Sequence, residues 1–264
     1  LNFQKKEWIK IKNYCNKKKL IFLSSVFSLK GLDVINKVGV PVWKIASGEY
    51  KSDYMLKEIY KTKKPIIIST GLMNNKEIYN MHKELNKKKI IHAFLHCVSN
   101  YPVEIKNVGL NNIQNLRRKL NCQIGYSDHS GNFNVPISAI FFGASIIEVH
   151  AKLKKIDDGP DGTSSLTINE IKKLCSFRDD IYLLKNNAVN KNNLTANLIK
   201  IKKIFGKSIA LKKDMNKGSV ISLKDLTYKK PGTGFGGNKI KLLIGRKLSR
   251  FVSSKVLLKP KHLL

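Results

Sequence analysis

The sequence predicts a parallel α/β fold of the (β/α)8 TIM-barrel type, followed by a small all-β domain. Six short β-rich runs end in polar residues, and helical stretches separate most of them at repeats of about 20 to 30 residues. The predicted strands cover residues 20–24, 42–46, 66–69, 90–96, 123–127 and 146–150. The predicted helices cover residues 5–18, 54–60, 75–85, 111–120, 135–142 and 167–184.

Six strands are two fewer than a (β/α)8 barrel requires. The sequence begins with Leu1 rather than Met, and a predicted helix precedes the first predicted strand. We therefore expect an N-terminally truncated chain whose barrel lacks its first strands. The alternative is an open six-stranded α/β sheet.

The pattern changes after the predicted barrel, and we expect two domains. Residues 1–185 form the partial barrel domain, residues 186–207 form a polar, Asn-rich linker, and residues 208–264 form the second domain. Glycines separate short β-like segments in this last part, such as residues 219–223 and 247–252. About 60 residues suffice for a small all-β module.

The formal net charge of +32 raises the question of a nucleic-acid partner. Only five of the 50 basic residues are Arg, and the Lys residues are spread along the whole chain together with abundant Asn and Ile. Because binding patches are localised and use Arg, this distribution favours biased codon usage over nucleic-acid binding. We expect neither a nucleic-acid nor a membrane partner.

The four cysteines are far apart in sequence and form no CxxC pair. This usage is typical of a reducing compartment. No apolar run approaches the roughly 20 residues of a membrane helix, and the amino terminus has no signal-peptide pattern. We expect a cytoplasmic protein.

Two histidines each follow a predicted strand, and barrel enzymes place catalytic ligands at such strand ends. His129 closes Ser127-Asp128-His129, and His150 closes Glu148-Val149-His150. Polar turns containing Asn100-Tyr101-Pro102 and Gly159-Pro160-Asp161 occur at further strand ends. This recurrence predicts an enzyme. A single histidine at a strand end is also consistent with a structural hydrogen bond.

The ordered motifs of this chain resemble those of the sialic acid synthase family. They are residues 44–49 (KIASGE), 64–71 (KPIIISTG), 96–102 (HCVSNYP), 125–129 (GYSDH) and 159–161 (GPD). Residues 230–234 (KPGTG) and 244–247 (IGRK) resemble the family's C-terminal antifreeze-like (SAF) domain. The resemblance spans nearly the whole chain.

The resemblance implies a (β/α)8 barrel with a C-terminal SAF domain and a carbohydrate-biosynthetic transferase activity. Family members condense phosphoenolpyruvate with N-acetylmannosamine or a related aminosugar to a nine-carbon 2-keto acid. They use a divalent metal, commonly Mn²⁺, and by resemblance His129 and His150 would hold it at the catalytic centre. Neutral imidazoles suit such a site because they leave coordination positions open for substrate and water.

Phosphoenolpyruvate needs a cation and small polar donors for its phosphate and carboxylate. Lys44, Ser47 and Ser69 fit that description, and the resemblance adds Ser25, Asn100 and Ser127. Turn capping by the serines and a solvated Lys44 are the alternative interpretations. Glu49 could orient Lys44 or assist proton transfer, and a Glu beside a Gly turn is equally consistent with a structural role.

Tyr101 and Asp161 fit recognition of the sugar, because an aromatic face and a carboxylate are common carbohydrate contacts. A plain acidic turn at residues 157–161 is the alternative for Asp161. The family's Arg-Pro-Gly motif carries an Arg that reaches the sugar in the partner subunit's barrel, and Lys230 stands in its place here. The resemblance thus implies a domain-swapped homodimer. A Lys keeps the positive charge of the Arg but lacks the planar guanidinium that can form two parallel hydrogen bonds.

Two other interpretations remain. The chain could be a truncated or decayed relative that is catalytically inactive, and an encoding gene that does not continue upstream of Leu1 would favour this interpretation. A basic binding module without catalysis would show a localised basic surface and salt-dependent binding to nucleic acid. Neither the metal nor the choice among sialic, legionaminic and pseudaminic acid follows from the sequence.

Overall fold

The computed structural model describes residues 3–153 and 159–264 of the 264-residue chain. Asp157 and Asp158 of the acidic turn lie outside the described residues. The chain divides into two compact units, Leu1–Asn187 and Ala188–Leu264. Each unit has its own hydrophobic core.

Helices and parallel strands alternate along most of the first unit. Its helices are α1 (Lys5–Lys17), α2 (Leu29–Val38), α3 (Asp53–Lys61), α4 (Asn75–Lys87), α5 (Asn111–Lys119), α6 (Asn134–Phe141) and α7 (Ile168–Asn186). Its strands are β1 (Trp43–Ile45), β2 (Ile66–Ser69), β3 (His92–His96), β4 (Gln123–Asp128), β5 (Ile147–Lys152) and β6 (Ser165–Thr167).

The six strands pair in sequence order, and every pair is parallel. A doubly wound sheet reverses its strand order at a switch point, whereas a barrel adds each strand on the same side. The sheet accordingly curls into part of a barrel. This order rules out a doubly wound sheet and agrees with the predicted barrel class.

Local sequence signals explain where the helices begin. Asn74 accepts a hydrogen bond from the Glu77 amide, and the Glu77 carboxylate accepts one from the Asn74 amide. Thr167 and Glu170 form the same reciprocal capping box before α7. These pairs satisfy amide groups that have no partner within the first helical turn.

Two sequence predictions in this unit are wrong. Residues 20–24 form no strand, and the backbone there makes only an isolated parallel bridge between Ser25 and Lys44. The sixth strand is instead β6, which is only three residues long and follows the polar segment that contains Asp161. Helix α2 lies where no helix was predicted, and it begins at the side-chain cap of Ser28.

The core of the first unit lies between the sheet and the surrounding helices. Trp43, Ile66 and Phe94 on β1 to β3 have essentially no exposed surface. Both faces of β1 to β4 are largely covered, so polar side chains on these strands are buried as well. Lys44, Ser69 and Ser127 are almost fully enclosed.

The second unit contains helix α8 (Ala196–Phe205), the antiparallel strands β7 (Ser208–Leu211) and β8 (Leu226–Lys229), and the single-turn helix α9 (Ile240–Leu243). Helix α8 occupies ten of the 22 residues predicted as a linker, so that segment is helical in part. The unit is also not purely β. Val220 pairs with Lys247 and Met215 with Val252 through isolated antiparallel bridges.

All four cysteines are free thiols. Among the described residues, no helix combines the length and the apolar character that crossing a membrane requires.

Candidate active site

The pairing of β4 with β5 sets the centre of the candidate site. Ser127 and Glu148 are partners in the parallel register. Because side chains alternate along a strand, His150 lies on the same face of the sheet as Glu148. His129 follows β4 directly and lies beside this face, with its ring 5.4 Å from that of His150.

The buried Lys44 on β1 contacts side chains of β2 and β5. The Lys44 Nζ donates to the Ser69 Oγ at 2.8 Å and lies 3.5 Å from the Glu148 Oε1. The same Glu148 oxygen accepts a hydrogen bond from the Ser127 Oγ at 2.7 Å. Lys44 is 7% exposed, and Ser127 is 2% exposed. A cation and two hydroxyl groups thus lie together where an anionic ligand would be desolvated.

Tyr101 completes a ring cluster with the two histidines. Its ring stacks on His129 at 4.1 Å and meets the His150 ring edge-on at 5.7 Å. The Tyr101 hydroxyl lies 3.1 Å from the His129 Nε2, and the Ser127 Oγ lies 3.4 Å from the same nitrogen. Half of the Tyr101 surface is exposed, so the cluster is accessible at the strand ends.

The two imidazoles fit a divalent cation in their donor chemistry. The His129 Nδ1 lies 2.7 Å from the Val98 carbonyl oxygen, which can only accept, so Nδ1 carries the proton and Nε2 keeps its lone pair. Ligating histidines are commonly oriented in this way. The His150 Nδ1 lies 3.5 Å from the Asp161 Oδ2, which places a carboxylate beside the pair.

Burial tunes the protonation of this cluster. Burial lowers the pKa of His129, and the neighbouring His150 lowers it further, although the hydrogen bond to the Val98 carbonyl opposes the shift. Burial also raises the pKa of the Tyr101 hydroxyl, and Cys97, Asp161 and Glu148 add to this rise. Near neutral pH, His129 is therefore neutral, which is the form that binds metals.

The remaining predicted residues occupy more varied positions. Ser25 is half-buried and bridges to the Lys44 backbone, and Ser47 contacts the Ser99 Oγ at 3.0 Å. Asn100 is exposed just beyond β3. The Glu49 carboxylate accepts a hydrogen bond from Ser52, so the described partner of the Lys44 ammonium is a different carboxylate, that of Glu148.

Lys230 belongs to the second unit. Its Nζ lies 5.1 Å from the centre of the Phe205 ring, a cation–π contact within that unit. Its role toward a sugar stays a prediction.

Sequence reasoning assigned no role to Glu148, which contacts both Lys44 and Ser127. A signal was present, because Glu148 precedes His150 by two residues and alternation puts both on one face of a strand. Ser99 was also missed. It follows β3 by three residues in an irregular segment, where sequence periodicity does not show which way a side chain points.

Comparisons with known proteins show which family this chain resembles. The profile of the NeuB family matches residues 1–189. The N,N'-diacetyllegionaminic acid synthase of Campylobacter jejuni is 34% identical, over 91% of this chain and 72% of that protein. A pseudaminic acid synthase of C. jejuni is 30% identical, over 88% of this chain and 67% of that protein.

A solved structure of a sialic acid synthetase is similar as well. The N-acetylneuraminic acid synthetase of Leptospira borgpetersenii, crystallised with citrate, superposes with a TM-score of 0.69 at 30% identity. The match covers 76% of this chain and 70% of that chain. Since the family profile covers more than half of the sequence, this chain belongs to the NeuB family.

Proposed function

We propose that this protein condenses phosphoenolpyruvate with an N-acetylated aminosugar, such as N-acetylmannosamine or a close relative, to form a nine-carbon 2-keto sugar acid. A bond forms between carbon 3 of phosphoenolpyruvate and the aldehyde carbon of the open-chain sugar. Water adds at carbon 2, the bond from that carbon to the phosphate oxygen breaks, and inorganic phosphate leaves. The activity is that of a carbon–carbon-forming transferase. The observation that carries the proposal is the network in which the buried Lys44, Ser69 and Ser127 meet the partly exposed Glu148, beside the His129–His150 pair.

The network supplies the anion-binding part of this reaction. Lys44 provides the positive charge, and Ser69 and Ser127 provide hydroxyl donors for phosphate or carboxylate oxygens. Ser25, Ser47 and Asn100 lie at or beyond neighbouring strand ends and extend the set of donors. Because Lys44 is buried, its charge acts in a medium of low polarity and interacts more strongly with an anion than it would in water.

Glu148 positions the Lys44 ammonium and the Ser127 hydroxyl. Its side chain is 42% exposed, so its carboxylate is also accessible to a water molecule. A carboxylate at this position can accept the proton of the water that attacks carbon 2. Glu49 retains a supporting role through its hydrogen bond with Ser52.

The ring cluster forms the sugar-binding and metal-binding part. His129 and His150 would hold a divalent metal, which we propose to be Mn²⁺. When bound, such an ion supplies Lewis acidity that polarises the aldehyde oxygen of the sugar. Tyr101 offers an aromatic face to the sugar ring atoms, and Asp161 offers a carboxylate acceptor for its hydroxyl or N-acetyl groups.

The decisive test is product detection. The purified chain is incubated with phosphoenolpyruvate, Mn²⁺ and, in separate reactions, the aminosugar precursors of sialic, legionaminic and pseudaminic acids. We expect one sugar to give a nine-carbon 2-keto acid by mass spectrometry, with one phosphate released per product. His129→Ala should give no product. Absence of product with all three sugars, from a chain shown to be folded, would favour the inactive-relative interpretation.

We further propose that the second unit is a SAF domain that serves the barrel of a partner subunit in a homodimer. Its support is the KPGTG motif at residues 230–234, in which Lys230 stands where the family has Arg. Mixing a His129→Ala chain with a Lys230→Ala chain should restore part of the activity, since one site then receives both intact parts. No recovery after verified subunit exchange would contradict this arrangement. The cytoplasmic location stays a prediction that the four free thiols favour.

A further inference from the structure

A second group of metal-donor side chains lies at the opposite edge of the sheet. His82 lies on α4, His92 opens β3, and Cys122 immediately precedes β4. The donor atoms of these three side chains all lie within 4.8 Å of one another. Both histidines are buried, and Cys122 is half-buried. Among the described residues, no other group of three or more His, Cys, Asp or Glu side chains brings its donor atoms this close together.

The hydrogen bonds orient both rings toward a common point. The His92 Nδ1 lies 2.8 Å from the Ile90 carbonyl oxygen, so this nitrogen carries the proton and Nε2 presents a lone pair. That Nε2 faces the His82 Nδ1 at 2.8 Å. The His82 Nε2 lies 3.0 Å from the Asn86 Nδ2, which donates to it, so the His82 Nδ1 carries the proton and donates to the His92 Nε2. When the Asn86 side-chain amide turns over, its oxygen accepts a proton from the His82 Nε2, and the His82 Nδ1 presents a lone pair.

We propose that the His82 Nδ1, the His92 Nε2 and the Cys122 Sγ bind a divalent transition-metal ion such as Zn²⁺. Two imidazoles and a thiolate form a donor set that Zn²⁺ prefers, and a hydrogen bond behind each ligating imidazole is typical of such sites. The fourth position opens to a surface groove lined in part by Asn86, Lys89 and Asn121, which gives water and the ion access.

Binding requires the Asn86 side-chain amide to turn over, a small change in the distance between the two ligating nitrogens, and a simple proton balance. Tetrahedral coordination places the two nitrogens about 3.3 Å apart, roughly half an ångström more than in the free pair. The Cys122 thiol releases one proton to solvent, the His82 proton moves from Nδ1 to Nε2, both imidazoles stay neutral, and no electron is transferred. The ion thus replaces the hydrogen bond between the two histidines.

This site is distinct from the candidate active site. Strand β3 runs from His92 to His96, and four residues of strand span about 13 Å. The ion would therefore lie at the amino edge of the sheet, away from His129 and His150. It would tie α4 to the starts of β3 and β4, and residues at this face of a barrel serve stability rather than chemistry.

Cobalt titration of the full chain tests the proposal. The titration uses the His129→Ala/His150→Ala double variant, which lacks the imidazoles of the candidate active site. Co²⁺ bound by this variant is therefore attributed to the His82–His92–Cys122 group. We expect one Co²⁺ per chain, a thiolate-to-cobalt charge-transfer band, and loss of the band on adding Zn²⁺. Asn86→Ala should weaken binding by about 10- to 100-fold, because it removes the partner of His82.

Two cysteine variants provide the matched control. Cys122→Ser should lose the charge-transfer band, whereas Cys15→Ser should keep it, since Cys15 lies on α1 outside the group. X-ray absorption of the Zn²⁺-loaded chain with Cys122 intact should show one sulfur at about 2.3 Å and needs no cysteine variant. No Co²⁺ binding, a band that persists in Cys122→Ser, or a zinc shell without sulfur would each overturn the proposal.

Discussion

Replacing Lys44 tests the anion-binding network most directly. Lys44→Met keeps the length of the side chain and removes its charge. The variant leaves Ser69 without its 2.8 Å donor and Glu148 without its ionic partner. We expect a loss of phosphoenolpyruvate binding and catalysis with a fold that remains intact.

The structure sets the size of both effects. Breaking a fully buried ion pair costs about 3 to 5 kcal/mol, and an exposed pair contributes about 0 to 1 kcal/mol. The Lys44 side chain is 9% exposed and that of Glu148 is 42% exposed, so water rehydrates the remaining carboxylate. We therefore expect the free energy of unfolding to fall by about 1 to 2 kcal/mol. Loss of a charged contact to the reacting anion should lower kcat/KM by about 100-fold or more.

Lys61→Met is the matched control. Lys61 pairs with Glu58 at 2.6 Å on the surface of α3, where the two side chains are 71% and 44% exposed. This variant should change unfolding by less than about 0.5 kcal/mol and leave kcat/KM unchanged. Urea denaturation gives the stabilities, and phosphate release gives the kinetics. A folded Lys44→Met enzyme whose kcat/KM for phosphoenolpyruvate stays within about threefold of the parent would refute the reasoning.

Three further predictions follow from individual contacts. Gly71→Ala should destabilise the fold by about 1 to 3 kcal/mol in urea denaturation, because a Cβ there would lie 2.3 Å from the Ser99 Oγ and 2.8 Å from the Cys97 Sγ. Gly48→Ala, whose Cβ would meet nothing within 4 Å, is its control, and equal stability of the two variants would contradict the packing argument. Tyr101→Phe keeps the ring stacked on His129 and should change the KM for the sugar less than about 10-fold, whereas Tyr101→Ala should raise it further; identical kinetics of the two variants would exclude a role for the ring. Burial lowers the pKa of His96, so the unfolded chain binds its proton more readily, and stability should fall as the pH drops below about 6.5. His96→Gln should flatten this dependence in urea midpoints measured between pH 7.5 and 5.5, and an unchanged slope would show that other groups cause it.

Local patterns in the sequence determined most of the first unit. The apolar runs that became β2, β3 and β4 end in polar residues, and capping residues such as Asn74 mark where helices begin. These signals depend on neighbours within one or two turns of chain, so the sequence contains them directly. Residues 20–24 show the limit of this reasoning. Their apolar character is that of a strand, but strand formation requires a partner backbone, and only Ser25 finds one.

The motifs also named most members of the candidate site before any contact was known. His129, His150, Lys44 and Ser127 stand at or near strand ends, and the curl of a parallel sheet brings such ends together. Sequence alone could not show which carboxylate meets Lys44. The register between β4 and β5 places Glu148 beside Ser127, and that register is a long-range property.

Only the tertiary structure shows that His82, His92 and Cys122 lie close together. His92 follows His82 by ten positions and Cys122 follows His92 by thirty, and this spacing matches no metal-ligand motif in the sequence. Packing of α4 against β3 and pairing of β3 with β4 bring their donor atoms within 4.8 Å. The sequence by itself therefore determined most elements of the first unit and the chemistry that its strand ends carry. The tertiary structure decided which side chains share a site, because distances between elements depend on register and packing rather than on neighbours along the chain.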